Sequence, residues 1–408
     1  MPTDLMTPRS KWCGLRVAGL LTLTLGGCGD APGPTSGTDI HIRDSVGIRI
    51  VEYAGAPSPP TLTLSGEPVY THGTRPGDYL FSNIDSWMGG VLFPGGRAAV
   101  RDWGSREIVV LSQDGTRHEV IARAGEGPGE VGWASFLYAG SSGTLLVDDR
   151  GNRRLTLFAD GSLVRTVSAP SPGEGADLHA HGLDPAGQVL MSSGVSSGRG
   201  FKAPWKPGHM ARFDLETRQL DTVASFDHVQ SEPPGQDGTP FFRHFGVVGA
   251  AGGEFVHGRN DIPELVWRRP DGSVRQIMRW QPEWTYTTHE SRERFLACWE
   301  SLLREDPDRP EAIIDMDLAR WRFNHDEPEP LFTTIFGDDE GRAWLWHWEM
   351  PCHNRLRFTV IGPDGTWLGA FEPPDGFELL GVAGRHALVV VKDEMDVESV
   401  AVYELVGW

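Results

Sequence analysis

One short pattern, an alternating strand followed by a tight turn, repeats along this chain. The clearest copy is residues 149–161 (DRGNRRLTLFADG), and further copies are residues 106–115, 264–272, 355–365 and, in degenerate form, 210–217. Alternating apolar and polar residues that run into an Asp-Gly turn are a strong hairpin signal. Strands repeated at intervals of a few tens of residues indicate a propeller. The repeats therefore predict an all-β protein, a six-bladed β-propeller.

The strand signals group into six blades. The chain ends one strand short in the last blade, and residues 48–53 (IRIVEY) form a spare strand at the other end. Pairing this N-terminal strand with the C-terminal blade would close the ring and leave no open sheet edge. The predicted blades are residues 83–123, 134–168, 178–227, 245–280, 331–371 and 378–406.

One helical insert, residues 285–328, interrupts the predicted strands between blades four and five. Residues 287–290 (TTHE) fit a capping box, and an apolar stripe follows before Pro307. A second, weaker helix is predicted for residues 311–323. Because so wide an apolar face must be covered, we expect the insert to pack on the rim of the propeller.

The first 27 residues have the features of a lipoprotein signal peptide. Basic residues precede a nine-residue apolar run, residues 17–25, which is too short for a bilayer span of about 20 residues. Small residues then lead into Cys28. Cleavage before Cys28 and acylation of its thiol, with palmitate as one acyl chain, would anchor the protein in a bacterial envelope on the outer-membrane, periplasmic or surface side. The alternative is an ordinary secretory signal.

Residues 28–44 are predicted to be a flexible tether, and residues 45–408 the propeller. The tether is rich in Gly, Pro and Ser and has too few apolar residues to fold. Among the four cysteines, only Cys298 and Cys352 would remain in the folded part. They could pair in an oxidising compartment, and no cysteine spacing fits a zinc site.

The formal charge of the whole chain is -19. This acidity argues against nucleic acid and anionic lipid as partners. A chain with 51 glycines, 30 prolines and 39% hydrophobic residues suits a fold with many turns. We expect a soluble folded domain that is a monomer.

The regular second blade resembles the NHL repeat through Asp149, Asn152, Arg154, Phe158 and Gly161. The preceding hexapeptide resembles the GxGPGE signature of six-bladed β-propeller lipoproteins of bacterial envelopes. This resemblance implies the fold and the anchoring, and it brings no established activity. From the residues alone, the motif is structural, because a glycine-rich phosphate cradle needs a following helix and here a strand follows. The hexapeptide residues in question are Gly125, Gly127, Pro128, Gly129 and Glu130.

Histidines are the best candidates for chemistry. His179 and His181 lie on the predicted inner strand of blade three and would face the same side, and His244 begins the inner strand of blade four. Three imidazoles at a shared channel could hold a divalent metal, with Asp338 or Asp339 as oxygen ligands. The alternative is that these histidines form hydrogen bonds between blades, with no cofactor.

A tryptophan-rich strand is a second candidate surface. Trp344, Trp346 and Trp348 share one face, on which a sugar ring or peptide could stack. Trp344 and Trp346 are predicted to be core, whereas Trp348 and His353 lie near a loop and are the candidate contacts. No nucleophile motif such as GxSxG, SxxK or HExxH is present.

Two functions that involve a ligand or substrate remain open from the sequence, beside a third in which the protein is a purely structural assembly factor. The first is a non-enzymatic scaffold in the envelope that binds a protein, peptide or glycan on one rim of the ring. The alternative is a metal-dependent hydrolase or lyase with a channel site that is lined by histidines.

Overall fold

The computed structural model describes residues 40–408, except residues 85–88, 134, 141–142, 172–176, 195–204, 231–238, 241–243, 307, 323–327 and 348–355. The predicted signal peptide, Cys28 and most of the predicted tether lie outside the described residues. The protein is predominantly β. In the described part of the chain, neither helix has the length and apolar character needed to cross a bilayer.

Four strands precede the repeated sheets: β1 (Ile40–Ser45), β2 (Ile48–Tyr53), β3 (Thr61–Leu64) and β4 (Tyr70–His72). The first of these already begins inside the predicted tether. β1 and β2 form an antiparallel hairpin from Ile40 onward. The tether prediction therefore extends too far, because strand pairing reaches five residues closer to the N-terminus than composition suggests.

The remaining strands form six consecutive antiparallel groups, which we number sheets one to six. Sheet one is β5 (Gly90–Leu92), β6 (Ala98–Asp102), β7 (Glu107–Leu111) and β8 (His118–Ala122). Sheet two is β9 (Ser135–Ala139), β10 (Thr144–Asp149), β11 (Arg154–Ala159) and β12 (Ser162–Ser168). Sheet three is β13 (Asp177–Leu183), β14 (Val189–Gly194), β15 (Trp205–Phe213) and β16 (Leu220–Gln230).

A two-residue strand, β17 (Thr239–Pro240), separates sheets three and four. Sheet four is β18 (Gly246–Ala251), β19 (Glu254–Arg259), β20 (Glu264–Arg268) and β21 (Val274–Arg279). The helices α1 (His289–Leu303) and α2 (Glu311–Ala319) and the strand β22 (Trp321–Arg322) follow. Sheet five is β23 (Thr334–Gly337), β24 (Ala343–Trp346), β25 (Phe358–Ile361) and β26 (Trp367–Phe371), and sheet six contains β27 (Phe377–Ala383), β28 (His386–Lys392) and β29 (Glu398–Val406).

The sheets pack side by side around a ring. The first strands contact one another in succession from β27 through β5, β9, β13 and β18 to β23. Among the described residues, buried apolar clusters fill the seams between sheets one and two, two and three, three and four, four and five, five and six, and six and one. Removal of this apolar surface from water is the main force that holds the sheets together.

The N-terminal strands cover outer edges in turn, and this finding corrects the predicted closure. β2 does not join the last sheet; it pairs in parallel with β21 of sheet four. β3 lies between β26 of sheet five and β29 of sheet six, and β4 pairs with β29 as the fourth strand of sheet six. The fourth strand of sheet six is thus Tyr70–His72, which directly precedes sheet one along the chain. Its three residues give a much weaker strand signal than IRIVEY.

The segment that contains the two helices is held by a hydrogen bond between its two ends and by strand pairing just after its second helix. Thr285 accepts a hydrogen bond from the backbone N–H of Glu329 at 2.8 Å, and β22 pairs with β17 in the connection that enters sheet four. The N-cap of α1 is Thr288, and Ser291 completes the capping box. The predicted box was one residue too early, because the serine hydroxyl takes the place that the motif gives to a glutamate.

Connections between strands lie on two faces of the ring. The connections from first to second and from third to fourth strands define the turn face. The connections from second to third strands and between sheets define the link face. Turns from first to second strands are two to five residues long, whereas links between sheets run from 5 to 54 residues. Arg97 and Gly143 show that turns of neighbouring sheets meet, since the guanidinium donates to the Gly143 carbonyl at 2.7 Å.

Candidate functional site

The link face carries most of the exposed apolar surface outside the first hairpin. Trp133, between sheets one and two, is 61% exposed, and Met316 on α2 is 57% exposed. Isolated exposed apolar residues are common, but their concentration on one face is typical of an interaction surface. The other exposed apolar residues of this face are Leu80, Ile262, Tyr286, Leu302, Ile313, Met395 and Val397. The turn face has Val69, Leu163, Val164 and Val406.

The glycine-rich hexapeptide is fixed to sheet two by the NHL-like residues. Asn152 donates its side-chain amide to the Gly125 carbonyl at 2.8 Å, and Arg154 donates to the carbonyls of Glu126 and Glu130 at 2.5 and 2.6 Å. The buried carboxylate of Asp149 accepts from Asn152 and Arg154 at 2.8 and 3.1 Å. These residues support the link face.

Three glycines of sheet two and the loop before it have a conformational role. A Cβ at Gly125 would collide with the Glu130 carboxylate, which accepts a hydrogen bond from the N–H of Gly127 at 2.6 Å. Gly161, in the turn after the third strand, has a φ of +79°, which glycine adopts without strain. Pro128 and Gly129 complete the loop, and Gly129 also has a positive φ of +79°. The loop is thus shaped by its backbone and by Glu130.

A polar cluster lies in the seam between sheets two and three. His181 Nε2 is 2.7 Å from the Ser192 hydroxyl, and the Asp148 carboxylate accepts from the N–H of Ala180 at 3.2 Å. Arg150 donates to Asp148 at 3.3 Å, and its guanidinium covers the Phe136 ring at 4.1 Å. The sequence correctly brings His181 to an inner strand, while it gives no sign of its carboxylate neighbour.

Burial controls the protonation of this cluster. Desolvation, followed by the charges of His179 and Arg150, lowers the pKa of His181 to about 3. Desolvation also raises the pKa of Asp148, against the opposing effect of Arg150. Burial likewise raises the pKa of Tyr138. The imidazole of His181 is therefore neutral at physiological pH, and the cluster has the perturbed groups that often mark functional sites.

The three predicted metal ligands do not form a metal site among themselves. Within the described ranges no group of three or more His, Cys, Asp or Glu side chains could hold a metal ion. His179 pairs with Ser192 in the β13–β14 register, and the buried His244 accepts a backbone hydrogen bond from Gln230 at 3.2 Å. Alternation along a strand places two histidines on one side, but it cannot bring the third within reach.

The aspartates proposed as oxygen ligands serve the turn face. Asp338 is buried and accepts from Arg342 and from the Trp344 indole, at 2.5 and 2.9 Å. Asp339 accepts from the N–H of Gly384 in the next sheet at 2.7 Å. Both carboxylates thus connect or stabilise turns.

The tryptophan-rich strand is part of the core where it is described. Trp344 is fully buried, and Trp346 packs against the cluster between sheets five and six. His347 Nε2 lies 2.6 Å from the Thr359 hydroxyl, and burial lowers the pKa of His347 to about 4. The candidate contacts Trp348 and His353 lie outside the described residues. Cys298 of α1 is disulfide-bonded, and its predicted partner Cys352 also lies outside them.

A cavity opens on the link face at the seam between sheets three and four. Its volume is about 140 Å³. The apolar cluster of this seam has only three buried members, Leu190, Met210 and Phe255, whereas the next seam has fourteen. The cavity therefore lies where apolar side chains fill the seam least. Its lining is Phe226, Asp227, Gly246, His257, Gly258, Arg259, Ile262, Glu264 and Val266.

The cavity was not predicted from the sequence. No sequence motif singles out His257 or Arg259. The sequence contains only a weak signal for this cavity. At the end of the second strand, sheet four has Arg-Asn-Asp (residues 259–261) where sheet two has Asp-Arg-Gly-Asn (residues 149–152). Which residues line the cavity depends on the packing of β16 against β19, which no local pattern reveals.

No protein-family model and no curated protein matches this chain. Among solved structures, the chain is similar to a Bacteroides fragilis protein assumed to be exported, with 10% identity over 88% of this chain and 99% of that one and a TM-score of 0.47. A DUF4221 protein of Bacteroides vulgatus has 10% identity over 86% and 99%, with a TM-score of 0.47. Virginiamycin B lyase of Staphylococcus aureus has 10% identity over 80% and 99%, with a TM-score of 0.37. Such values assign no activity to this chain.

Proposed function

We propose that this protein is a non-enzymatic, lipid-anchored scaffold of the bacterial envelope whose link face binds a protein, peptide or glycan. The observation that carries this proposal is the concentration of exposed apolar side chains on that face. Binding surfaces are enriched in aromatic residues and methionine, and Trp133 and Met316 are exposed examples. The turn face lacks a comparable surface among the described residues.

We further propose that the six sheets are the blades of a closed six-bladed β-propeller. Six seams filled by apolar clusters support a ring without a gap. The fourth strand of sheet six, β4, comes from the N-terminal side of the chain. A closed propeller is commonly completed in this way, by a strand from one end of the chain that joins the sheet at the other end. A rigid ring of this kind would hold loops in fixed positions for binding.

Anchoring is proposed through the acylated thiol of Cys28. Replacement by Cys28→Ala should release the exported protein from the membrane fraction, because a single noncovalent contact cannot replace two or more acyl chains. Cell fractionation with radiolabelled palmitate measures both anchoring and acylation. A Cys28→Ala protein that stays in the membrane fraction would contradict the anchor and leave the binding proposal standing.

Site-specific photocrosslinking in living cells tests the binding face. A photoreactive residue at position 133 or 316 should capture one reproducible envelope component. The matched control is position 340 on the turn face, where Glu340 is exposed. Equal capture from both faces, or none from the link face, would overturn the proposal.

The enzymatic alternative makes a different prediction. A metal-dependent hydrolase or lyase should contain stoichiometric metal after purification, and chelation should lower its thermal stability. Metal analysis with a melt before and after chelation distinguishes it from the scaffold. Neither test depends on knowing the substrate.

A further inference from the structure

The cavity between sheets three and four is lined by a histidine, His257, whose tautomer is fixed by its neighbour. Arg268 donates its Nε–H to His257 Nε2 at 2.9 Å. A guanidinium keeps its protons, so the accepting ring nitrogen must be unprotonated and the ring proton must lie on Nδ1. Burial, followed by the charge of Arg268, lowers the pKa of His257 to about 3. His257 is therefore a neutral residue that can donate one hydrogen bond at physiological pH.

That Nδ1–H has no partner within the described part of the chain, although His257 lines the cavity. The ring is held in place by Arg268, which also donates to the Gly272 carbonyl at 3.0 Å. Preorganised donors of this kind lose little freedom on binding. The cavity thus offers a hydrogen-bond donor that a ligand can use at low cost.

Every charged group that lines the cavity already has an ion-pair partner. The Arg259 guanidinium is shared between Asp227 at 3.3 Å and Asp261 at 2.6 Å, and Arg279 is shared between Glu264 at 2.7 Å and Glu52 at 3.1 Å. Paired groups attract no ion strongly, yet their remaining lone pairs and N–H groups can still form hydrogen bonds. The lining therefore favours a neutral ligand with several polar groups over an anion or a cation.

Apolar side chains complete the cavity. Phe226 and Ile262 line it beside the polar groups, and the Arg259 guanidinium is also stacked 3.9 Å above the Trp205 ring. An aromatic ring next to mixed donors and acceptors suits the apolar face and the hydroxyls of a sugar. The cavity volume of about 140 Å³ is small, so the cavity accepts one small unit and not a long chain.

We infer that this cavity binds a single neutral sugar unit, with Phe226 against the ring, Asp227 accepting from a hydroxyl and His257 donating to one. This inference rests on the proposed binding function and specifies glycan as the ligand class. The position at the link face would let the rest of a glycan run outward over the neighbouring loops.

Saturation-transfer NMR with glucose, galactose and N-acetylglucosamine tests the inference on the purified protein without its lipid anchor. At least one of these should bind with a Kd in the millimolar range, and glucuronic acid and glucosamine should bind more weakly. His257→Phe should weaken binding about tenfold or more, and Asp227→Asn about two- to tenfold, as expected for one lost hydrogen bond. His386→Phe, the same change on β28 at the turn face, should have no effect.

Asp227→Asn keeps the shape of a half-exposed side chain and serves as the second variant if His257→Phe fails to fold. Equal binding by the wild type and both variants, preference for a charged sugar, or no binding of any neutral sugar would overturn the inference. Capture of a protein partner through position 133 together with no sugar binding would reject the sugar site alone. Sugar binding without any crosslink at position 133 or 316 would instead contradict the wider link-face proposal.

Discussion

The two faces of the ring use polar residues in opposite ways. On the turn face, short turns place Arg97, Asp339 and Arg342 against the backbone of the neighbouring sheet, so that their polar groups are bound within the protein. On the link face, longer connections expose Trp133 and Met316, and strand residues of sheets three and four line a cavity with an available donor. Similar sheets therefore have one end that stabilises the ring and one end available for recognition.

The link face also has a rigid foundation. Asp149, Asn152 and Arg154 fix the hexapeptide loop immediately beside the exposed Trp133. An exposed side chain on a fixed backbone favours binding, because less conformational entropy is lost when the complex forms. The two faces therefore differ mainly in the side chains that they expose.

The largest effect on stability is expected at the turn face. Asp338→Ala should destabilise the fold by about 3 to 5 kcal/mol, because the buried Arg342 guanidinium loses its buried carboxylate and keeps only the exposed Glu340 as an ion-pair partner. Chemical denaturation measures this change. Asp339→Ala removes only one hydrogen bond and should cost about 1 kcal/mol. Equal losses in both variants would contradict the special role of the buried pair.

A smaller loss of stability is expected when a residue that holds the hexapeptide loop is replaced. Asn152→Ala leaves the Gly125 carbonyl with only a long hydrogen bond of 3.4 Å from Arg154 and should cost about 1 to 3 kcal/mol. Limited proteolysis should then cut the hexapeptide loop faster than in the wild type. An unchanged cleavage rate would show that Arg154 alone is sufficient to hold the loop.

Acid should weaken the seam between sheets two and three. The folded protein keeps His181 neutral, so below pH 6.5 it binds fewer protons than the unfolded chain, and stability falls as the pH drops from about 6.5 toward about 3. At pH 5.5, His181 should have lowered the free energy of unfolding by roughly 1.4 kcal/mol relative to a pH well above 6.5. The raised pKa of Asp148 acts in the opposite direction, since its folded form takes up a proton more readily.

Denaturation at pH 7.5 and 5.5 measures this effect in the wild type and in His181→Gln. The variant should lose less stability on acidification. His41→Gln, at an exposed position of β1, controls for removal of a histidine. The same acid dependence in all three proteins would rule out His181 as the cause.

The smallest effect on stability is expected for the exposed surface. Trp133→Ser should change the free energy of unfolding by no more than about 0.5 kcal/mol, because its ring is mostly in solvent. Capture of a partner should nevertheless decrease strongly. Loss of capture with a large drop in stability would mean that Trp133 acts through the fold and not through contact.

Much of the strand order follows from the sequence because alternation and Asp-Gly turns are local signals. The prediction for sheet two agrees closely with β9 to β12, and the helix before Pro307 is present as α1. The prediction fails for the N-terminal strands. IRIVEY has the stronger pattern, yet the shorter Tyr70–His72 closes sheet six because its neighbours along the chain place it there.

The site was less accessible from the sequence. The paired strands of β13 and β14 could be anticipated, but the proximity of Asp148, Arg150 and His181 joins residues from two different sheets. The cavity has the same origin, since β16 and β19 belong to consecutive sheets and leave space where the seam has few buried apolar residues.

Local patterns along this chain specify its strands, its tight turns and its helices, because each depends on residues a few positions apart. The order in which β2, β3 and β4 cover three sheets, and the cavity with its neutral His257, arise only when distant segments pack together. Packing depends on the shapes and charges of whole surfaces, and these are not encoded in any one segment.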